Sequence, residues 1–250
     1  MKQSERHKLK ENELARSLAG LNRAVEGRGN LAAKVAVGVL VLIVVGLGFN
    51  VFRQRGESRG QQLLADAMVA LNARVVPASA AGPEGEPAAA QIGATGAFST
   101  EEAKLTAAIP KLQAAADGAP GTAAGITARY YLGGALAAVG RHAEAIKAFE
   151  EVTSRAGADT LYGRMARMGR ADAQVRAGEV DAAIAGWKEL MAQQGSDLPA
   201  DALLVELARA YQLKGDSAEA KKALTQLVDD HPNSPYAPEA RTDLQSLSGS

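Results

Sequence analysis

The sequence has no cysteine, which excludes disulfides, thiolate metal sites and cysteine nucleophiles at the outset. Aromatic residues are scarce, at 4% of the chain, which argues against a sheet core built from aromatic and β-branched side chains. Alanine is abundant instead and favours helices that approach closely through small side chains, so the sequence predicts an all-α protein. Net charge is also absent, because 28 Lys/Arg balance 28 Asp/Glu, although the balance is uneven along the chain. Residues 1–34 carry eight Lys/Arg against four Asp/Glu, and residues 53–250 carry twenty against twenty-four. A mildly acidic main part lacks the electrostatic footprint of a nucleic-acid binder.

The residues of catalysis are equally sparse. Neither GxGxxG nor GxxxxGK followed by Ser or Thr occurs, so no phosphate-cradling loop is present. The three histidines, His7, His142 and His231, are isolated from one another and read as tail and turn residues. Residues 56–60, GESRG, match the G-x-S-x-G nucleophile elbow in letters only, because that elbow needs a strand before it and a helix after it. The sequence therefore points to a non-enzyme with no cofactor and no metal.

One long apolar run is present. Residues 35–52, VAVGVLVLIVVGLGFNVF, contain no charge, and Lys34, Arg53 and Arg55 bracket them. As a helix the run is about 27 Å long, close to the roughly 30 Å of bilayer hydrocarbon, and its flanking cations can snorkel to the headgroups. It reads as a single transmembrane helix. The region before it is too long for a cleavable signal peptide, and no small-residue cleavage site follows before Arg53. Four Lys/Arg lie within 20 residues before the run and three within 20 after it, with eight in residues 1–34 altogether. This bias sets a basic cytoplasmic tail at 1–34 and the main domain outside the cytoplasm, in the periplasm of a Gram-negative cell. Within the tail, Leu14, Leu18, Leu21 and Val25 form one helical stripe, open to two readings: a solvated segment or a helix that docks on a partner or on headgroups.

Beyond the run, Leu63, Leu64, Ala67, Met68 and Leu71 share a helical face. Residues 77–98 are rich in proline and glycine with little to bury, and read as a flexible insertion, either a partner-binding segment or a tolerated loop. Ser99 or Thr100 caps the next helix, with Pro110 as its expected kink or break.

The rest of the chain repeats itself. Gly140, Gly178 and Gly215 are 38 and 37 residues apart, and Ala108, Ala145, Ala183 and Ala220 are 37, 38 and 37 apart. Each unit reads as helix, glycine turn, helix, a period of stacked arrays in which neighbours complete one another's core. Gly133, Ala171 and Ala208 let the paired helices approach Ala145, Ala183 and Ala220, while Phe149, Trp187 and Leu224 fill the space between units. Tyr236, Leu244 and Leu247 belong to a last helix over 235–250 that caps the open end.

These residues resemble the tetratricopeptide repeat family. Leu132, Gly133, Gly140, Ala145 and Phe149 fit its pattern in one repeat, and Leu207, Ala208, Tyr211, Gly215, Ala220 and Pro232 in another. Arg170 and Gln174 depart from it in the repeat between. The resemblance implies an α-solenoid with a first helix pair over 53–125 and three tetratricopeptide-like repeats over 126–234. A basic tail, one span, an alanine-rich array and HPNSPYAPEAR near the end together are similar to the membrane-anchored ancillary subunits of the bacterial Sec translocon. That implies an inner-membrane, single-pass scaffold with protein partners: translocon subunits, membrane chaperones or exported polypeptides. A cell-division or envelope-assembly coordinator of the same repeat family is the alternative. In such arrays the first helix of each pair lines a concave groove, which by position implies Tyr130, Met168, Asp172, Arg176, Val205, Arg209 and Gln212 as partner-binding residues. Tyr130, Met168 and Val205 would supply apolar contact, and Arg176 and Arg209 would anchor carboxylates or carbonyls.

Overall fold

The computed structural model describes residues 31–76, 96–193 and 198–248, with side chains of the first stretch described at 38–47 and from 56 onward. The helical stripe of the tail, His7 and residues 77–95 of the insertion lie outside the described residues. The elements in order are α1 (Leu31–Leu71), α2 (Glu101–Gly118), α3 (Ala123–Ala138), α4 (His142–Ala156), α5 (Leu161–Arg176), α6 (Val180–Ala192), α7 (Ala200–Lys214), α8 (Ser217–Asp230) and α9 (Ala237–Ser248). Two compact units are present, Met1–Arg55 and Gly56–Ser250.

In the first unit the apolar run 35–52 falls within α1. Its described side chains span 38–47, about 15 Å of helix, and among the described residues no helix is long and apolar enough to cross a membrane. Residues 56–60 are helical, so GESRG does not have the strand, turn and helix of a nucleophile elbow. Gly60 serves packing instead: a Cβ there would come within 2.7 Å of the Ala119 Cβ.

Among the described residues of the second unit the regular elements are helices, with one parallel bridge, Val75 to Phe98. The Val76 amide donates to the Phe98 carbonyl at 2.8 Å and the Phe98 amide to the Arg74 carbonyl at 2.9 Å, which pins the two ends of the insertion together. Phe98 thus belongs to a stem, which the loop reading of 77–98 did not anticipate. Thr100 is the cap of α2, accepting from the Ala103 amide at 3.1 Å. The helix runs through Pro110 to Gly118 and does not break there.

From α3 onward the turns recur. Gly140, Gly178 and Gly215 adopt φ of 81°, 83° and 80°, the left-handed region open to glycine. After each glycine the next amide reaches back to the preceding helix: Arg141 to Leu136, Glu179 to Gln174 and Asp216 to Tyr211, at 2.9, 2.8 and 2.8 Å. A second device sets the entry of α3 and α5. The Thr122 and Thr160 hydroxyls accept from the Gly125 and Gly163 amides at 3.1 Å and donate to the Ala119 and Gly157 carbonyls at 2.8 and 2.9 Å. A Cβ on Gly125 or Gly163 would lie at 1.9 or 2.0 Å from those same carbonyl oxygens, so neither position admits a side chain.

Packing follows the repeat. Ala108, Ala145, Ala183 and Ala220 are fully buried, and Leu112, Phe149, Trp187 and Leu224 are at most 4% exposed. The Phe149 ring is held between two glycines, with a Cβ on Gly133 falling 2.8 Å from it and one on Gly169 falling 2.6 Å from it. On the far side α9 closes the stack, with Tyr236, Leu244 and Leu247 packed against the core that α7 and α8 contribute to.

Helix α5 stands between two apolar clusters. Ala166 and Ala173 belong to the one shared with α3 and α4, and Ala171 to the one shared with α7 and α8. Two of its buried positions are polar: Arg167 is 3% exposed and Gln174 8% exposed, and Arg170 Nε and Gln174 Oε1 have no hydrogen-bond partner. A buried acceptor without a donor carries its desolvation cost uncompensated.

Two measurements follow from this packing. Gly169→Ala lowers stability by about 1–3 kcal/mol, because the buried Phe149 ring has nowhere to move, whereas Gly134→Ala, which meets open space, holds or raises the melting temperature. Equal melting of the wild type and Gly169→Ala would refute the wedge. Gln174→Leu raises stability by about 1 kcal/mol in urea titration by removing the unpaired acceptor, and a destabilised variant would show that the amide is satisfied.

Candidate partner-binding face

Helices α3, α5 and α7 are the first helices of their pairs, and each carries exposed side chains. On α3 the exposed Tyr131 borders an aromatic cluster. The Tyr130 ring lies 5.8 Å from Tyr131, 5.9 Å from Phe149 and 5.8 Å from Tyr162 of α5, the tyrosine pairs edge-on. Such edge contacts fix ring orientation. Tyr130 is half-buried, and burial first, with Tyr131 and Tyr162 beside it, raises its phenol above the ordinary value. Tyr131 is 36% exposed and Leu161, at the start of α5, is 60% exposed, which gives this aromatic end an accessible apolar rim.

On α5 and α7 the exposed side chains include ion pairs. Arg176 pairs with Asp172 at 3.4 Å, both more than half exposed. Arg209 lies 3.3 Å from Glu206 and 3.2 Å from Glu239 of α9. Gln212 is exposed, and Leu213 beside it is 65% exposed. Arg209, Gln212 and Leu213 are spaced to share one helical surface.

The seven residues expected at a partner-binding face therefore divide. Asp172, Arg176, Arg209 and Gln212 are exposed, and Tyr130 is half-buried within the aromatic cluster. Met168 is half-buried against the core, and Val205, at 7% exposure, is taken up in it. Val205 is thus a packing residue, because α8 and α9 cover the side of α7 on which it lies. The arginines are not vacant anchors, since each already holds a carboxylate of this chain. Exposed pairs of this kind contribute roughly 0–1 kcal/mol, so an incoming carboxylate can exchange for them at little cost.

Tyr131, Tyr162 and Leu213 were not expected at the site. The signal for the tyrosines was in the sequence: three of the five tyrosines fall at 130, 131 and 162 in a chain with 4% aromatics. Their meeting depends on α3 and α5 lying side by side.

The clefts between second helices hold further charges. Arg129, with its side chain 6% exposed, reaches Asp117 of α2 at 2.5 Å and Glu151 of α4 at 2.8 Å. Its hydrogen bonds, after that of Gln113, hold the Asp117 carboxyl below its ordinary value. Arg167 occupies the same place 38 residues on, with Nη2 2.9 Å from Glu189 of α6, though neither Nη1 nor Nη2 is aligned for a hydrogen bond. Among the described residues no group of three or more His, Asp or Glu is placed to hold a metal ion.

The array was compared with known proteins. A family model described as tetratricopeptide repeat matches residues 201–234, which take in α7 from its second residue and all of α8. No curated protein sequence matches the chain. Among solved structures, TPR-like repeats of nearly identical sequence from a provisional kinesin light chain of Podosopora anserina superpose with a TM-score of 0.51 at 20% identity, covering 59% of this chain and 79% of theirs. A single-substitution form of the same repeats gives a TM-score of 0.51, 20% identity and coverage of 59% and 78%. Residues 201–234 thus match a tetratricopeptide repeat, and the helical array around them has a TPR-like solenoid fold.

Proposed function

We propose that this protein is a membrane-anchored scaffold that binds polypeptide partners on the first-helix face of its solenoid. The observations that carry the binding role are the exposed ion pairs of Arg176 and Arg209 on the first helices and the ring cluster of Tyr130, Tyr131 and Tyr162. Aromatic rings and exchangeable charge suit an extended or helical peptide, since rings add contact area at low entropic cost and guanidinium groups capture carboxylates or carbonyls. Repeat arrays of this fold offer such faces without catalytic machinery.

Anchoring rests on α1. Its described apolar side chains Val39, Leu40, Val41, Leu42, Ile43, Val44, Val45 and Leu47 are between 49% and 72% exposed. A band open on all sides is a poor fit to water and a good one to lipid, and its extension over 35–52 brings the length to that of a span. The basic tail favours an N-terminus in the cytoplasm and an array in the periplasm. Similarity to the ancillary translocon subunits then favours Sec components or newly exported chains as partners.

Membrane insertion is tested by flotation. The full chain should rise with phosphatidylethanolamine–phosphatidylglycerol vesicles and resist carbonate extraction, while a chain lacking 35–52 stays at the bottom. A full chain that also stays down would end the anchoring reading, and a periplasm-only reporter fused after Ser250 that remains inactive would reverse the topology.

For the face, Arg176→Ala combined with Arg209→Ala should weaken crosslinking to membrane partners several-fold and shift the melting temperature by little. Unchanged crosslinking would remove the arginines from the binding role. Recovery of division proteins in place of translocon subunits would move the protein to the alternative assignment.

A further inference from the structure

The cleft between successive second helices changes character in the last repeat. Between α2 and α4 it is filled by Arg129, ion-paired on both sides to Asp117 and Glu151. Between α4 and α6 it is filled by Arg167 beside Glu189. Thirty-seven residues further on, the same two places hold Leu204 and Gln226, so the third cleft has neither the guanidinium nor its carboxylate. A cavity of about 370 Å3 is left between α6, α7 and α8, and both Leu204 and Gln226 line it.

Its chemistry is also reversed. The floor is apolar, from Leu204, Leu207 and Ala223, with the Met191 thioether and the Tyr211 ring at its sides. Lys188 stands on α6 where α2 and α4 carry Gln113 and Glu150. Its ammonium lies 5.4 Å from the centre of the Tyr211 ring, and the Tyr211 hydroxyl first and the Glu219 charge after it hold its pKa above the ordinary value. Across the cavity Lys222, whose side chain is 75% exposed, holds Glu219 at 3.6 Å. Two cations and one anion thus border an apolar pit whose volume falls within the roughly 300–1,000 Å3 range of ligand-binding sites.

We infer that this cleft is a second binding site, which takes a bulky apolar side chain, preferably aromatic, from an acidic peptide segment of a partner. The apolar floor, the thioether and the tyrosine suit an aromatic ring. Lys188 and Lys222 suit carboxylates on either side of it, where Coulomb attraction adds to burial and a basic peptide is repelled. The site uses none of Tyr130, Arg176 or Arg209, so it is independent of the first-helix face.

The test is fluorescence anisotropy of the full chain in detergent. The probe is a fluorescein-labelled octapeptide carrying one phenylalanine flanked by aspartates in a Gly/Ser background. Saturable binding is expected, at least tenfold weaker for the same peptide with lysines in place of the aspartates. Leu204→Arg with Gln226→Glu rebuilds the filled cleft of the two earlier repeats and should weaken binding at least tenfold. Lys188→Glu with Lys222→Glu, both at exposed positions that leave folding intact by circular dichroism, should do the same. Arg176→Ala with Arg209→Ala should leave it unchanged. Absence of saturable binding, equal affinity for the lysine peptide, retention of binding in the Lys188/Lys222 variant, or loss in the Arg176/Arg209 variant would each overturn the assignment.

Discussion

The placement of one large side chain between three helices governs the array. Phe149 leaves α4 and lies between Gly133 of its own pair and Gly169 of the next, closer than any Cβ at those two glycines would permit. Trp187 and Leu224 take the same role one and two repeats later, against Ala171 and Ala208 in place of the first glycine. Because each such residue touches the next pair, no pair is complete alone, and the stack has to be continued or capped. At the last pair Tyr236, just before α9, and Leu244 and Leu247 within it supply that cap.

Close approach of helices also decides where charge can go. With alanine and glycine at the contacts, long side chains are displaced to the clefts between second helices, where Arg129 and Arg167 lie almost wholly buried with carboxylates at their ends. Arg129 has partners on both sides, and Arg167 has one without hydrogen-bond alignment. With Gln174 and Arg170 also short of partners, polar strain collects on α5, the helix that separates the two apolar clusters. Buried polar groups are retained at a cost in stability, and here that cost falls at the middle of the solenoid.

The two faces of the array differ accordingly. The first helices carry rings and exposed ion pairs. The second helices carry filled clefts, until Leu204 and Gln226 empty the third. A repeat protein can thus vary its surface chemistry from unit to unit while the glycine turns and small contacts remain the same.

Much of this architecture is legible in the sequence. The period of 37 or 38 residues, the turns at Gly140, Gly178 and Gly215 and the burial of Ala145, Phe149 and Trp187 follow from spacing alone, because one residue type at one interval meets the same steric demand each time. Thr122 and Gly125 recur as Thr160 and Gly163 at the same interval, a cap that periodicity of apolar residues does not register. The side on which Val205 lies, the meeting of Tyr130 with Tyr162 and the pairing of Arg209 with Glu239 were decided only by the tertiary structure. Each depends on the angle between neighbouring helices, and that angle is set by contacts between repeats rather than by any pattern within one.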